Sequence, residues 1–283
     1  MSVQSARILT FVISVAATCS IVEAGPTVTV GRNVVASERV SIEQIDHSQW
    51  DLLLKRYVDQ AGNVNYTAWK RSAEDVRQLD AYLAHLSQAD PRQRAHREAT
   101  LAFWINAYNA VTIKGILREY PTTSIRNHTA RLFGYNIWKD LHLIVGGDSF
   151  YLEQMEHEIL RKMSEPRIHF AIVCASKSCP KLRNEAYVAQ NLEAQLTENA
   201  RDFFANANNF RYDPSGQRFY LSSILSWFAD DFGSDQANQL GAIAPYLPIA
   251  AAQQAANANA VRLSYLDYDW DLNDQATVRS ARR

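Results

Sequence analysis

Apolar residues along this chain repeat at two spacings, and the switches between them mark out its elements. In "AEDVRQLDAYLAHLSQ" Leu79, Tyr82, Leu83 and Leu86 fall three or four apart, which predicts an amphipathic helix closed by Asp90-Pro91. Ahead of it a helix is expected from Asp46, a good N-cap, through "SQWDLLLKRYVDQ" to Gly62. "GNVNY" then reads as a turn into a short strand. In "REATLAFWINAYNAVTIKGILREYP", Leu101, Trp104, Ile105, Tyr108 and Thr112 share one helical face while Phe103, Ile113 and Leu117 lie on another. That pattern predicts a helix buried nearly all round. Asn106 and Asn109 share a flank of it, and a buried amide without a partner costs about 1–3 kcal/mol. Each therefore needs a partner, either loop backbone or a ligand.

Further on, "LHLIVGGDSFYL" predicts a hairpin turning at Gly146-Gly147. "YLEQMEHEILRKM" predicts a helix packed through Leu152, Met155, Ile159 and Met163. "RIHFAIVC" is a near-continuous apolar run of the kind seen in a fully buried strand, with Cys174 at its end and "ASKS" as a loop. "LEAQLTENARDFF" reads as a helix, "FRYDPSGQRFYLS" as a hairpin, and "ILSWFADDFG" and "QANQLGAIAPYL" as short helices. "AAQQAANANA" is low-complexity and expected to be a mobile or loosely helical linker, and "VRLSYLDYDWDLN" closes as a strand. In that strand Asp267, Asp269 and Asp271 would share one face, as a solvated face or a weak calcium site. Helices interspersed with strands, and no Gly-rich strand–helix turn, point to one α+β domain over residues 46–273. A central buried helix, a small mostly antiparallel sheet and surrounding helices would form it. An extended lead-in (25–45) precedes it and a basic tail (274–283) follows.

Composition changes this picture only in what it excludes. Lys plus Arg number 29 against 30 Asp plus Glu, so no overall field favours nucleic acid. Residues 1–24 read as a secretory signal, with Arg7 ahead of an apolar run from Ile8 to Val22 and cleavage near Ala24. Cys19 could instead be a lipidation site, but "AAT" before it lacks the expected leucine. No later stretch could span a bilayer, so a soluble secreted or periplasmic protein is expected. Removal of the leader leaves Cys174 and Cys179, an even pair suited to a disulfide in an oxidising compartment.

Six motifs in order carry a resemblance: "LLLKRYVDQAGNVNY", "LAFWINAYNAVTI", "EYPTTSI", "MEHEILR", "PRIHFAIVCASKSCPKLRNEAY" and "YLDYDWDLN". Together, over roughly residues 50 to 273, they resemble the domain of unknown function family 547, found in exported bacterial proteins and in plant leucine-zipper proteins. Tyr151 and Glu153 stand where that family usually has a serine and an aspartate. The resemblance implies a fold and motif positions rather than a reaction. Papain-like or transglutaminase-like cysteine hydrolases offer an analogy only.

Two chemistries compete for "HFAIVCASKSCP". In one, Cys174 is the nucleophile of an amide or ester hydrolase, His157 its base with Glu153 or Glu156 as orienter, and Asn106 or Asn109 a donor to imidazole or oxyanion. Strand alternation would keep His169 on the face opposite Cys174. In the other, Cys174 and Cys179 form a disulfide that closes a tight loop worth about 2 kcal/mol, within a non-catalytic binding module. Trp104, Asn109, Glu156, His169, Ser176 and Ser178 are expected to line the site. Glu153, His157 and His169 could make a metal set, but no metal and no cofactor is expected. The expected partner is a small molecule or peptide.

Overall fold

The computed structural model describes residues 27–130 and 135–277; the leader, Cys19 and "VRSARR" (278–283) lie outside them. Strand β1 (Val28–Val30) enters beside helices α1 (Ser48–Tyr57), α2 (Tyr66–Arg71) and α3 (Ala73–Leu86). The predicted long helix is α4 (Arg97–Glu119), and from Leu101 to Leu117 only Lys114 escapes full burial. Lys114 reaches out to Asp80 on α3 at 2.5 Å. A one-turn helix α5 (Ile137–Asp140) leads into β2 (Leu141–Val145) and β3 (Asp148–Tyr151), the expected hairpin. Gly146 and Gly147 both take positive φ (60° and 88°), which the tight turn requires and which other residues resist.

The chain continues as α6 (Leu152–Gln154) into a π turn over Met155–Leu160 and a 3₁₀ turn over Arg161–Met163. The i→i+5 winding displaces the predicted packed side. Leu152, Met155 and Leu160 are buried, while Ile159 and Met163 are only partly so. After α7 (Leu192–Ala205) come β4 (Phe210–Asp213), β5 (Arg218–Ser222), α8 (Ile224–Trp227), α9 (Ala229–Phe232), α10 (Gln236–Ile243), α11 (Ala250–Asn257) and β6 (Arg262–Leu266).

The α+β class holds, with helices around two small sheets. In each sheet one pair is antiparallel and one parallel: β1 lies parallel to β2 and β2 antiparallel to β3, while β4 is antiparallel to β5 and β5 parallel to β6. One core surrounds α4; a second gathers Phe170, Phe203, Phe204 and Phe219 under α7 and the later helices.

Four sequence expectations give way. "RIHFAIVC" is no strand: Pro166 starts a 3₁₀ turn over Pro166–Phe170, and residues 171–174 follow as irregular chain. A continuous apolar run reports burial on every side, and that does not distinguish strand from helix or coil. "AAQQAANANA" is helical, as one of the two expectations had it, but no mobile linker: it is the ordered helix α11 (Ala250–Asn257) as far as Asn257, because Ala252 and Ala256 pack into the second core. After Gly62 comes α2, capped by the Asn65 side chain, with only isolated bridges from Val64 to Val58 and to Asp274. β6 stops at Leu266, so the three aspartates do not share a strand face.

The irregular chain after Phe170 is buried, so its backbone needs hydrogen-bond partners that no strand supplies. The two α4 asparagines provide them. Asn109 donates to the Ala171 carbonyl (3.0 Å) and accepts from the Val173 N–H (2.9 Å). Asn106 does the same for Tyr187, at 2.8 and 2.9 Å. Asn199 of α7 holds the Phe170 carbonyl from the other side at 2.7 Å. Asn109→Ala strands one buried donor and one buried acceptor, and should destabilise the protein by about 2–5 kcal/mol. Urea unfolding measures this; a loss under about 1 kcal/mol would show that the clamp is dispensable.

Candidate functional site

Immediately beyond the Asn109 clamp the chain reaches Cys174, at the wall of a cavity of about 460 Å³. Ala175 then takes a left-handed conformation (φ 59°), a strained choice for a residue with a Cβ that turns the loop sharply. The C-terminal segment pins this loop. The Asn273 N–H donates to the Ala175 carbonyl (3.0 Å), the Lys177 N–H to Asp271 (2.8 Å) and the Asp269 N–H to the Ser178 hydroxyl (2.8 Å). Backbone spent on the loop is what takes residues 269–273 out of a strand. The same pinning delivers Tyr268 and Trp270 to the cavity.

Cys174 and Cys179 stand as free thiols with sulfurs 2.9 Å apart. Around the Cys174 sulfur stand the Ser176 hydroxyl (2.9 Å) and the Tyr268 hydroxyl (3.1 Å), and the Cys174 N–H points at the Cys179 sulfur (2.8 Å). Burial pushes the Cys174 thiol up, but hydrogen bonds from Cys179, Ser176 and Tyr268 outweigh it and bring it to about 7. Burial, joined by the Cys174 charge, pushes Cys179 the other way. One thiol is thereby set up as thiolate and its neighbour as donor.

Two carboxylates at or behind the cavity wall are held in opposite states: Glu156 lines it, and Asp231 sits behind the lining residue His169. Burial raises Glu156, which accepts from the Tyr108 hydroxyl at 3.0 Å. Asp231, also raised by burial, is brought below its ordinary value by Arg161 and His169. Arg161 grips it with two hydrogen bonds (2.6 and 2.8 Å), and His169 Nε2 donates to it at 2.6 Å. His169 stacks on Phe228 with ring centres 4.1 Å apart, and burial lowers its pKa against the pull of Asp231. The neutral ring then leaves Nδ1 as a lone pair, for which no hydrogen-bond partner exists among the described residues.

Of the residues expected at the site, Cys174, Glu156, His157 and His169 line the cavity, and Ser176 touches the Cys174 sulfur. Because the strand is absent, the alternation that set His169 opposite Cys174 does not operate, and both reach one cavity. Asn106 and Asn109 do not reach it; their amides are spent on backbone. Trp104 packs edge-on against Phe103 and Phe150 in the core, and Ser178 serves the loop. The role of His157 needs correction. Arginine only donates, so the 2.9 Å contact from Arg161 uses the Nδ1 lone pair and places the proton of the neutral ring on Nε2. In that tautomer the ring presents its Nε2–H as a donor. Glu153 is paired with Lys139 (3.1 Å), and no metal-ligating group of three or more His, Cys, Asp or Glu occurs among the described residues.

Sequence reasoning missed Asp231, Arg161 and Tyr108, and read Tyr268 and Trp270 only as part of a late aromatic cluster that would stack on sugar rings or fill the core. Only the aromatic-acidic run "DYDWD" hinted at the last pair.

The fold and the site together define an α+β protein built around a cysteine-centred cavity. Residues 92–204 match the family model described as "Protein of unknown function, DUF547", which bears out the resemblance over that stretch. The matched stretch holds α4 with its asparagines, the Glu156–His157 turn and the cysteine loop, and is narrower than the span over which the motifs run. Comparison with curated proteins and with solved structures finds no match.

The thiolate is the form that alkylates, so its rate should rise with pH through a midpoint of about 7. Tyr268→Phe removes one donor and should move that midpoint upward. Labelling at neutral pH should then slow by as much as about tenfold for every pH unit the midpoint climbs. Above the variant's midpoint the two rates should converge. Iodoacetamide labelling of the reduced protein, followed by intact mass across pH, reads this. A Tyr268→Phe profile that superimposes on the wild type would show that the tyrosine does not tune the thiol.

Proposed function

We propose that this protein is a cysteine-dependent acyl-transfer enzyme, hydrolysing an amide or ester, and that it works outside the cytosol after loss of its leader. One observation carries the reading: the Cys174 thiol, brought to about 7 by three hydrogen-bond donors, opens onto a cavity it shares with Glu156, His157 and His169. The Cys174 thiolate attacks the substrate carbonyl carbon, a C–S bond forms, and the carbonyl oxygen takes the charge. Tyr268 and Ser176, the hydroxyls on the Cys174 sulfur, would be its donors, with the Nε2–H of His157 on the same cavity as a third candidate. Collapse breaks the bond to the leaving group, which takes a proton from Glu156, the carboxyl that burial keeps protonated most readily. A water, deprotonated by His169 Nδ1 with Asp231 steadying the ring, then attacks the thioester and frees Cys174.

A second reading has an observation of its own. With the sulfurs at 2.9 Å, a two-electron oxidant such as an external disulfide would need to close them by less than about 1 Å, and the oxidised protein would be a binding module.

Incubation of the reduced protein with p-nitrophenyl acetate should give an acetyl adduct on Cys174 by peptide mass and a release of p-nitrophenol. Cys174→Ala should abolish the adduct, and Glu156→Gln should slow turnover by about 10²–10⁴-fold on substrates with poor leaving groups while sparing the activated ester. No adduct, together with a wild-type rate equal to that of Cys174→Ala, would overturn acyl transfer. Thiols blocked in freshly isolated protein until reductant is added would favour the binding module.

A further inference from the structure

The cavity has a second wall that acyl-transfer chemistry does not use. Trp227, half exposed, packs against Tyr268 (4.8 Å between ring centres) and Trp270 (5.8 Å), and Tyr268 against Trp270 (4.5 Å). All three line the cavity, and the Tyr268 hydroxyl is the one that touches the Cys174 sulfur. Exposed indole surface is costly to leave in water, and an exposed Trp at a cavity mouth offers a flat face on which a ring can stack. At the outer end of this wall the Arg126 guanidinium lies 5.3 Å over Trp270.

The Lys and Arg cations around the cavity are each paired with a carboxylate except at that point. Lys139 meets Glu153, and Arg161 meets Asp231. Among the described residues Arg126 has no carboxylate partner; its side chain has only the Trp270 ring. A guanidinium already resting on the aromatic wall makes that wall a poor receptor for a cationic ligand. It leaves the planar N–H fork free for a carboxylate or phosphate.

We propose that the substrate carries a planar or ring segment that stacks on Trp227 and Trp270 and, beyond it, an anionic group held by Arg126, with its scissile carbonyl at Cys174. This deepens the acyl-transfer reading and rests on it for the identity of the reacting thiol. The spacing follows from the wall. Ring segment and anion must lie on the side of the carbonyl that faces Tyr268, the anion two aromatic rings away from the sulfur.

The test needs no turnover, so its failure is distinct from failure of acyl transfer. Reduced protein is labelled with 6-maleimidohexanoic acid and with its methyl ester, which differ only in the charge at the end of the tail. The acid should react with Cys174 about two- to fivefold faster at low salt, a preference of the size an exposed ion pair supports. Added salt should erase it, Arg126→Gln should bring the two rates together, and Arg126→Lys should keep part of it. Titrating tryptophan fluorescence with 4-biphenylcarboxylate and with 4-biphenylmethanol reads the same preference without any thiol chemistry. Trp227→Ala should weaken both ligands, and Arg126→Gln only the first. Equal rates for acid and ester in the wild type, or a preference that survives Arg126→Gln, would overturn the assignment. An acyl-enzyme that forms while this preference is missing would leave acyl transfer standing and remove only the anionic substrate.

Discussion

Everything at this site hangs on two carboxamides of a buried helix standing in for a strand. A chain that crosses a protein interior must satisfy each peptide N–H and C=O, and the usual answer is a neighbouring strand. Between Phe170 and Tyr187 there is no strand, only an isolated bridge of Ser176 to Leu272 within the cysteine loop. A carboxamide presents one carbonyl oxygen and N–H donors in peptide-like geometry, so Asn109 binds Ala171 and Val173 as a neighbouring backbone would. Asn106 repeats the device at Tyr187. Ladder bonds would fix a pleat and send alternate side chains to opposite faces. Point clamps impose no such alternation, and that freedom lets His169 and Cys174 open on one cavity. The arrangement also explains why α4 carries amides in its most buried stretch despite the desolvation they cost.

How much of this was legible in the sequence depended on whether the signal was local. Period and punctuation located α3, α4, α7 and both hairpins, because amphipathic spacing and Gly-Gly or Pro-Ser-Gly turns act over a few residues. They failed where tertiary partners decide. "RIHFAIVC" reads as a strand since burial on all sides and β pairing leave the same apolar run. The Ala-rich segment reads as a linker because two alanines give little pattern, although they suffice to seat α11. Cys174, His157 and Glu156 were legible as reactive types near one another in sequence. Asp231 and Tyr268 were not, lying 62 and 94 positions from their partners His169 and Cys174. The asparagines were legible as needing partners, but nothing local says whether backbone or ligand provides them.

The electrostatics of the site divide one residue type into two functions by partner alone. Asp231 has a bidentate arginine and an imidazole N–H, and those bonds overcome burial. Glu156 has a tyrosine hydroxyl, whose single bond does not. The same residue type is thus held in two opposite states, one lining the cavity and one behind the His169 ring that lines it. Arg161 ties the sets together, since the guanidinium that fixes Asp231 also contacts His157 and so selects its tautomer. A change at Arg161 would therefore reach both histidines at once, with no need for either to move.

The dithiol adds a condition that polar networks alone would not. Cys179 favours the Cys174 thiolate only while it remains a thiol, since its S–H is the donor. The loop that brings that donor within 2.9 Å has also brought the one group able to consume the thiolate by oxidation. A disulfide sets its sulfurs at about 2.05 Å, less than about 1 Å closer than they already are. The pinning of the loop by residues 269–273 leaves the two sulfurs little room to separate. Activation and inactivation of Cys174 thus come from the same contact, and the nucleophile cannot be made less oxidisable by removing Cys179 without giving up part of what lowers its pKa.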